Sequence, residues 1–214
     1  MTHALLRFAA TTFAAATLAA TLTACAPLVL GGAAVGTLVA LDRRTSGAQL
    51  EDEGIELRAA ARIREAMGER AHVNVSSYNR QVLLTGEVPT DRDKQQAELI
   101  VSKVENVKGI YNELGVMGNS SLTQRSSDTL ITGKVKASLV DDRELSANAF
   151  RVVTERGTVY LMGRVTQREA DKATQIARSV GGVQRVVRLF ELISEQELQQ
   201  IAPQATAQPA APAR

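Results

Sequence analysis

Few side chains in this 214-residue sequence have the chemistry needed for catalysis or metal binding. The candidates are one cysteine, two histidines and two acidic pairs: Cys25, His3, His72, Asp91/Asp93 and Asp141/Asp142. Helix caps and solvated turns explain the acidic pairs more simply than general acid–base catalysis does. The sequence contains neither a glycine-rich phosphate loop nor a cluster of histidines and cysteines, and one cysteine cannot form a disulfide within the chain. We therefore predict no enzymatic activity, no cofactor and no metal site.

Cys25 follows a segment that has the features of a secretory signal. Arg7 supplies a positive charge, residues 8–22 are rich in alanine, leucine and threonine, and Leu22-Thr23-Ala24-Cys25 resembles the lipobox of bacterial lipoproteins. In a lipobox the thiol carries the diacylglycerol thioether, and the small residues before it fit the signal peptidase. We therefore predict a signal peptide at residues 1–24 and lipidation of Cys25. The alternative is a cytosolic protein whose only cysteine follows small residues by chance.

The predicted lipid anchor is followed by a membrane-proximal linker at residues 25–50. Residues 27–41 are apolar and glycine-rich, but this segment is shorter than the roughly 20 residues that a membrane-spanning helix requires. Several acyl chains on one cysteine would anchor the protein stably, since each buried CH₂ group contributes about 0.8 kcal/mol. By resemblance to lipoprotein sorting rules, Ala26 after the cysteine points to the outer membrane, with the rest of the chain in the periplasm.

The sequence after the linker contains one pattern twice. Val82–Val88 (VLLTGEV) recurs as Val159–Val165 (VYLMGRV), and Gly86 and Gly163 occupy the same place in the two copies. Each copy lies within the same order of predicted helix, strand, strand, helix and strand. Because the period exceeds about 50 residues, it indicates duplicated small domains and not a solenoid. We predict a first module at 51–118, a linker at 119–127 and a second module at 128–195, followed by a short helix and a disordered Pro/Ala-rich tail at 196–214.

The composition limits what these modules contain and bind. Aromatic residues make up 3% of the sequence and tryptophan is absent, so the cores must consist mainly of Val, Leu, Ile and Ala. The same lack of exposed rings argues against a stacking surface for nucleic acid. Apolar residues at helical spacing begin each module, with Ile55, Ala59 and Ile63 in the first and their counterparts at the equivalent positions of the second. The turn at 155–158 predicts a β-hairpin.

The α-β-β-α-β order and the Val-x-Leu-x-Gly-x-Val strand of both copies resemble the BON domain. This resemblance implies an α+β fold of two tandem BON domains, each with a small three-stranded mixed sheet covered by two helices. It also implies an outer-membrane lipoprotein that binds anionic phospholipid through its second module, in the context of envelope stress and cell division. Gly86 and Gly163 are interpreted as structural glycines at the ends of apolar runs, where the chain bends away.

A helical wheel of residues 130–140 separates the residues that face the core from those that face outward. Ile131, Val135 and Leu139 fall together on the core side. The outward arc mixes apolar side chains with two lysines, as an interfacial helix does, and comprises Leu130, Gly133, Lys134, Lys136, Ala137 and Val140. We predict that this arc is the lipid-binding site. By the same resemblance, Leu130 stands where some BON-domain proteins carry a tryptophan.

The charges of the two modules favour the same location. The first module has 9 basic and 12 acidic residues, a net charge of −3, whereas the second has 11 basic and 9 acidic residues, a net charge of +2. Two alternatives remain open. One is an adaptor that binds outer-membrane assembly proteins through an exposed sheet face or through the first module. The other is a passive structural or stress-response lipoprotein, in which Lys134 and Lys136 only increase solubility.

Overall fold

The computed structural model describes residues 42–201. The predicted signal peptide, Cys25, the apolar segment after it and most of the C-terminal tail lie outside the described residues. The first module consists of α1 (Ser46–Met67), β1 (His72–Tyr78), β2 (Gln81–Val88), α2 (Asp91–Ser102), β3 (Gly109–Asn112) and β4 (Gly115–Val116). The second consists of α3 (Leu122–Asp141), β5 (Phe150–Glu155), β6 (Thr158–Val165), α4 (Gln167–Ser179) and β7 (Arg185–Leu192), and is followed by α5 (Glu195–Ile201).

Each module contains one small mixed sheet, which confirms the predicted α+β class. In the first sheet β2 is central, pairing antiparallel with β1 on one side and parallel with β3 and β4 on the other. In the second sheet β6 pairs antiparallel with β5 and parallel with β7. The first sheet has four strands and not the predicted three, because its last strand is interrupted between Asn112 and Gly115, where Leu114 turns into the core.

The two helices of each module pack on one face of its own sheet. Ile55, Ala59 and Ile63 of α1 pack against Val82 and other residues of β2 in the first core. Ile131, Val135 and Leu139 of α3 occupy the matching places in the second core. Aliphatic residues dominate both cores, as the low aromatic content required.

The other faces of the two sheets pack against each other. Tyr78 and Leu83 of the first sheet and Tyr160 and Met162 of the second form a third buried cluster. Tyr78 Oη also donates a hydrogen bond of 3.3 Å to the carbonyl oxygen of Ala149. The sheet face suggested above as an exposed docking surface is therefore buried between the modules, and that part of the adaptor hypothesis is wrong. The alternation of residues along each strand could not predict this arrangement, because it does not show what covers the second face of the sheet.

The first helix of each module begins earlier than predicted. Thr45 caps α1 and Ser121 caps α3, so residues 46–50 and 122–127, predicted to be linker, are helical. The prediction missed these first turns because the core-facing position three residues before the apolar pattern is an acid in each helix, Asp52 or Asp128. An acid at that position interrupts the apolar periodicity. Asp52 is 1% exposed and Asp128 is 4% exposed.

Each of these buried aspartates holds the β-hairpin of its own module. The backbone N–H groups of Asn79 and Arg80 donate to Asp52, both at 2.7 Å. Those of Arg156 and Gly157 donate to Asp128, both at 2.8 Å. All four turn residues have positive φ. Both hairpins therefore have two-residue loops of the type whose backbone twist matches the twist of the flanking strands. This confirms the hairpin predicted at 155–158.

Two arginines before α1 bind different modules. Arg43 forms a buried, two-pronged ion pair with Glu169, at 2.8 and 2.7 Å. Arg44 pairs with Asp52 at 2.8 Å and lies over the ring of Tyr78, 4.3 Å from its centroid. The polar segment at 42–45 is thus fixed to the folded part of the chain, whereas the sequence predicted a linker there.

Candidate functional site

The outward face of α3 carries all six residues predicted from the helical wheel. Leu130 is 66% exposed and Val140 is 67% exposed. The other four, Gly133, Lys134, Lys136 and Ala137, are also exposed. The core-facing residues Ile131, Val135 and Leu139 are at most 6% exposed. The predicted division of the helix into a buried and an exposed face is therefore confirmed, while lipid binding by that face stays a prediction.

Lys134 and Lys136 form no ion pair with any other residue in the range 42–201. Two of the three basic residues on the equivalent helix α1 are engaged instead. Arg58 pairs with Glu51 at 2.7 Å, and Arg62 donates to the carbonyl oxygen of Lys103 at 2.7 Å. The two lysines of α3 are therefore available to meet an external anion.

The exposed face of α3 extends further toward the N-terminus than the predicted site. Leu122, the first residue of α3, is 80% exposed. At 100° per residue, Leu122 and Val140 point in the same direction, and Leu130 lies about 80° away. Continuing the i, i+3, i+4 pattern backward from Leu130 would have identified Leu122, but the segment was interpreted as linker. The 20-residue helix is about 30 Å long, and it carries an exposed apolar side chain near each end and near its middle.

Contacts with the second sheet hold α3 in place. Thr132 Oγ1 donates to Thr154 Oγ1 at 2.7 Å, and Asp128 binds the hairpin turn as described above. Together with three core side chains, these contacts fix the helix along its length. The exposed face is therefore a rigid surface that does not need to be ordered upon binding.

The two repeated glycines lie inside their strands, where the backbone of a neighbouring segment passes closely. A Cβ atom at Gly86 would collide with the carbonyl oxygen of His72, and Gly86 has φ of +108°. A Cβ atom at Gly163 would collide with the carbonyl oxygen of Ala149. β2 and β6 each continue for two residues beyond the glycine, so the glycines do not end the strands. Both contacts support the structural interpretation.

Cys25 lies outside the described residues, so lipidation stays a prediction. Among residues 42–201, no helix combines the length and the apolar character needed to cross a membrane.

Comparison with known proteins identifies the two modules. Residues 56–118 and 127–194 each match the BON domain. The chain belongs to the BON-domain family. It is 38% identical over 171 residues to the outer membrane lipoprotein DolP of Haemophilus influenzae, a match that covers 79% of this chain and 89% of DolP.

Two further relatives share this similarity. The 21 kDa hemolysin of Actinobacillus pleuropneumoniae is 34% identical, and the match covers 72% of this chain and 80% of that protein. The osmotically-inducible protein Y of Escherichia coli is 30% identical, with coverage of 53% and 58%. The likeness to DolP extends over most of the chain, which confirms the dual-BON, DolP-like organisation predicted from the sequence.

Proposed function

We propose that this protein is a lipid-anchored outer-membrane protein whose second BON domain binds anionic phospholipid through the exposed face of α3. The observation that carries the proposal is the combination, on one rigid helix face, of exposed leucines with two lysines that have no ion-pair partner among residues 42–201. The similarity to a protein named an outer membrane lipoprotein supports the location. The lipobox ending at Cys25 supports the mode of attachment.

The physical roles of the side chains follow from their positions. Leu122, Leu130 and Val140 would lie at the boundary between headgroups and acyl chains, because burying apolar surface is favourable by roughly 25 cal/mol per Å². Lys134 and Lys136 would meet phosphate oxygens, where each basic group near an anionic surface contributes about 1 kcal/mol. The net charge of +2 on the second domain, against −3 on the first, favours the same domain.

The test is co-sedimentation of residues 42–214 with liposomes made with and without anionic phospholipid. All three cores lie within residues 42–201, so this fragment keeps the fold described above. Leu130→Glu should reduce binding to anionic liposomes about tenfold or more, since it places a charge at the apolar boundary. The melting temperature should not change, because Leu130 is not part of the core.

Leu57→Glu is the matched control for this variant. Leu57 lies on the equivalent helix α1 of the first domain and is 74% exposed, slightly more than Leu130. Unchanged liposome binding by Leu57→Glu, together with loss in Leu130→Glu, would support the site. Equal loss of liposome binding in both variants would indicate that apolar residues over the whole surface contribute to binding, and not one site. No loss in a folded Leu130→Glu protein would remove α3 as the site and favour a protein-binding adaptor.

The lysines are tested by a charge reversal. The double variant Lys134→Glu/Lys136→Glu should weaken binding at low salt and matter less at high salt, because salt screens charges between solvated groups. Arg58 and Arg62 are unsuitable for the control, since both make contacts within the protein. Lys103→Glu/Lys108→Glu in the first domain is the better control, because both lysines are exposed and neither pairs with an acid in the described part of the chain.

Leu130→Trp provides a converse test. Tryptophan is favoured at the headgroup level of membranes, where its ring is apolar and its N–H group can bond to polar groups. If Leu130 lies at that level, the substitution should increase affinity for anionic liposomes. A decrease would contradict the proposed depth of this residue.

A further inference from the structure

Three potential metal ligands meet where the two BON domains join. His72 begins β1 and Glu87 is in β2, whereas Glu155 is the last residue of β5 in the second domain. The ligand atoms of the three side chains all lie within 4.8 Å of one another. His72 Nδ1 is 3.0 Å from Glu87 Oε2. The three residues are far apart in the sequence, so no spacing motif indicates them, and the sequence predicted no metal site.

Glu155 is a buried carboxylate that lacks a cationic partner among residues 42–201. The residue is 9% exposed, and its Oε2 accepts one hydrogen bond, of 3.1 Å, from Asn74 Nδ2. Because a buried carboxylate without a counter-charge is unfavourable, this position is suited to a metal cation.

Glu87 lies beside it and is oriented by hydrogen-bond donors from outside its own strand. Its Oε1 accepts a hydrogen bond of 2.6 Å from Arg156 Nε, and its Oε2 accepts one of 3.1 Å from the backbone N–H of Ser120. Such outer contacts orient a carboxylate for metal binding without occupying all of its lone pairs.

A cavity gives solvent access to His72 and Glu155, while Glu87 lies behind them and is fully buried. The volume of the cavity is about 370 Å³, and its lining includes His72, Asn74, Arg125, Thr132 and Glu155. The cavity is wide enough to admit a hydrated ion and to leave water molecules as the remaining ligands.

We propose that His72, Glu87 and Glu155 bind one divalent transition-metal ion, with Zn²⁺ as the best fit, and that the ion links the two BON domains. One imidazole nitrogen and two carboxylate oxygens form a donor set that suits zinc, whereas Mg²⁺ and Ca²⁺ prefer oxygen ligands alone. In a tetrahedral site, ligands about 2.0–2.2 Å from a shared ion lie roughly 3.3–3.6 Å apart, so side-chain rotations that bring the ligand atoms about 1 Å closer together would close the site. The ion would supply the cation that Glu155 lacks.

The test uses the fragment 42–214, in which His72 is the only histidine and cysteine is absent. Titration with ZnCl₂ in a calorimeter should show one equivalent bound, and the NMR signals of the single imidazole should shift as zinc is added. Excess MgCl₂ should not displace the zinc. Glu155→Gln should weaken zinc binding by at least about tenfold, because even outer-shell changes cost roughly 10–100-fold. Glu105→Gln, at an exposed position in the first domain, is the matched control and should bind as the wild type does.

The substitution Glu155→Gln is expected to preserve the fold, because glutamine has nearly the shape of the protonated acid. Its melting temperature in the presence of EDTA should therefore match or exceed that of the wild type. His72→Gln provides a second route to the same loss of zinc binding. Absence of zinc binding to the wild type would overturn the proposal. Equal zinc binding by wild type and Glu155→Gln, or displacement of the zinc by Mg²⁺, would also overturn it.

Discussion

At the scale of single residues, Gly163 shows how one missing side chain determines a close approach between two segments. The atom that a Cβ would meet is the backbone carbonyl oxygen of Ala149, which cannot rotate away as a side chain would. We expect Gly163→Ala to lower the free energy of unfolding by about 1–3 kcal/mol, measured by urea denaturation.

Gly133→Ala is the control for that measurement, and the opposite sign is expected. Gly133 lies in the middle of α3, and a Cβ there would meet no atom within 4 Å. Alanine in a helix interior is favoured over glycine by about 1 kcal/mol, so this variant should be more stable than the wild type. A stabilising effect of Gly163→Ala would contradict the proposed clash.

Asp128 is a second residue on which a whole hairpin depends. Asp128→Ala would leave the N–H groups of Arg156 and Gly157 without their acceptors, and each unsatisfied buried donor costs about 1–3 kcal/mol. We therefore expect a loss of roughly 2 kcal/mol or more in the free energy of unfolding. Asp128→Asn should lose less, since its amide keeps one oxygen acceptor, and equal losses in both variants would point to charge as the main contribution.

At the scale of elements, the start of α4 is fixed by a residue from outside its own domain. Thr166 and Glu169 form a reciprocal capping box, and Arg43 binds the same Glu169 carboxylate. Burial would raise the pKa of Glu169, but the bonds from Arg43 and from the backbone N–H of Thr166 outweigh it and lower the pKa. The folded state therefore favours the ionised carboxylate.

This ion pair predicts a pH dependence. A glutamate with a lowered pKa in the folded state stabilises the protein above its unfolded pKa, about 4.3, and this contribution is lost as the pH falls through the folded value. Arg43→Gln should cost about 3 kcal/mol at pH 7, because it leaves a buried carboxylate unpaired, and should cost much less near pH 3. Urea denaturation at the two pH values tests this expectation. Arg168→Gln, at a 55% exposed side chain of α4, should change little at either pH.

The repeated pattern predicted most elements because local spacing determines them. Ile131, Val135 and Leu139 follow helical spacing closely enough to identify both faces of α3. The earlier start of that helix was missed because Asp128 occupies a core-facing position, and a polar residue there carries no hydrophobic signal. Asp52 and Asp128 are equivalent positions of the repeat, and comparing polar positions between the two copies would have identified both hairpin caps. Contacts such as Asn74 to Glu155 depend on how the two domains pack, which no local pattern encodes.

At the scale of the whole molecule, the buried cluster between the sheets predicts that the two BON domains unfold together. Leu83 belongs to the first domain, is fully buried and packs in the cluster with Tyr160 and Met162. Leu83→Asp would bury a charge without a partner there, so we expect faster hydrogen exchange of backbone amides in both domains. Leu99→Asp, at a 62% exposed position in α2, should leave exchange unchanged. Faster exchange confined to the first domain would show that the domains are energetically independent.

The shared interface also has a consequence for how the tandem arrangement arose. Leu83 and Tyr160 are equivalent positions of the repeat, and both lie in the buried cluster. An interface in which each copy contributes the same surface is what a twofold-symmetric homodimer has. Duplication of one BON domain within a single chain leaves such a relation, since the central strand of each copy turns the equivalent position toward the other copy. The two halves have since diverged in net charge, which is −3 for the first domain and +2 for the second.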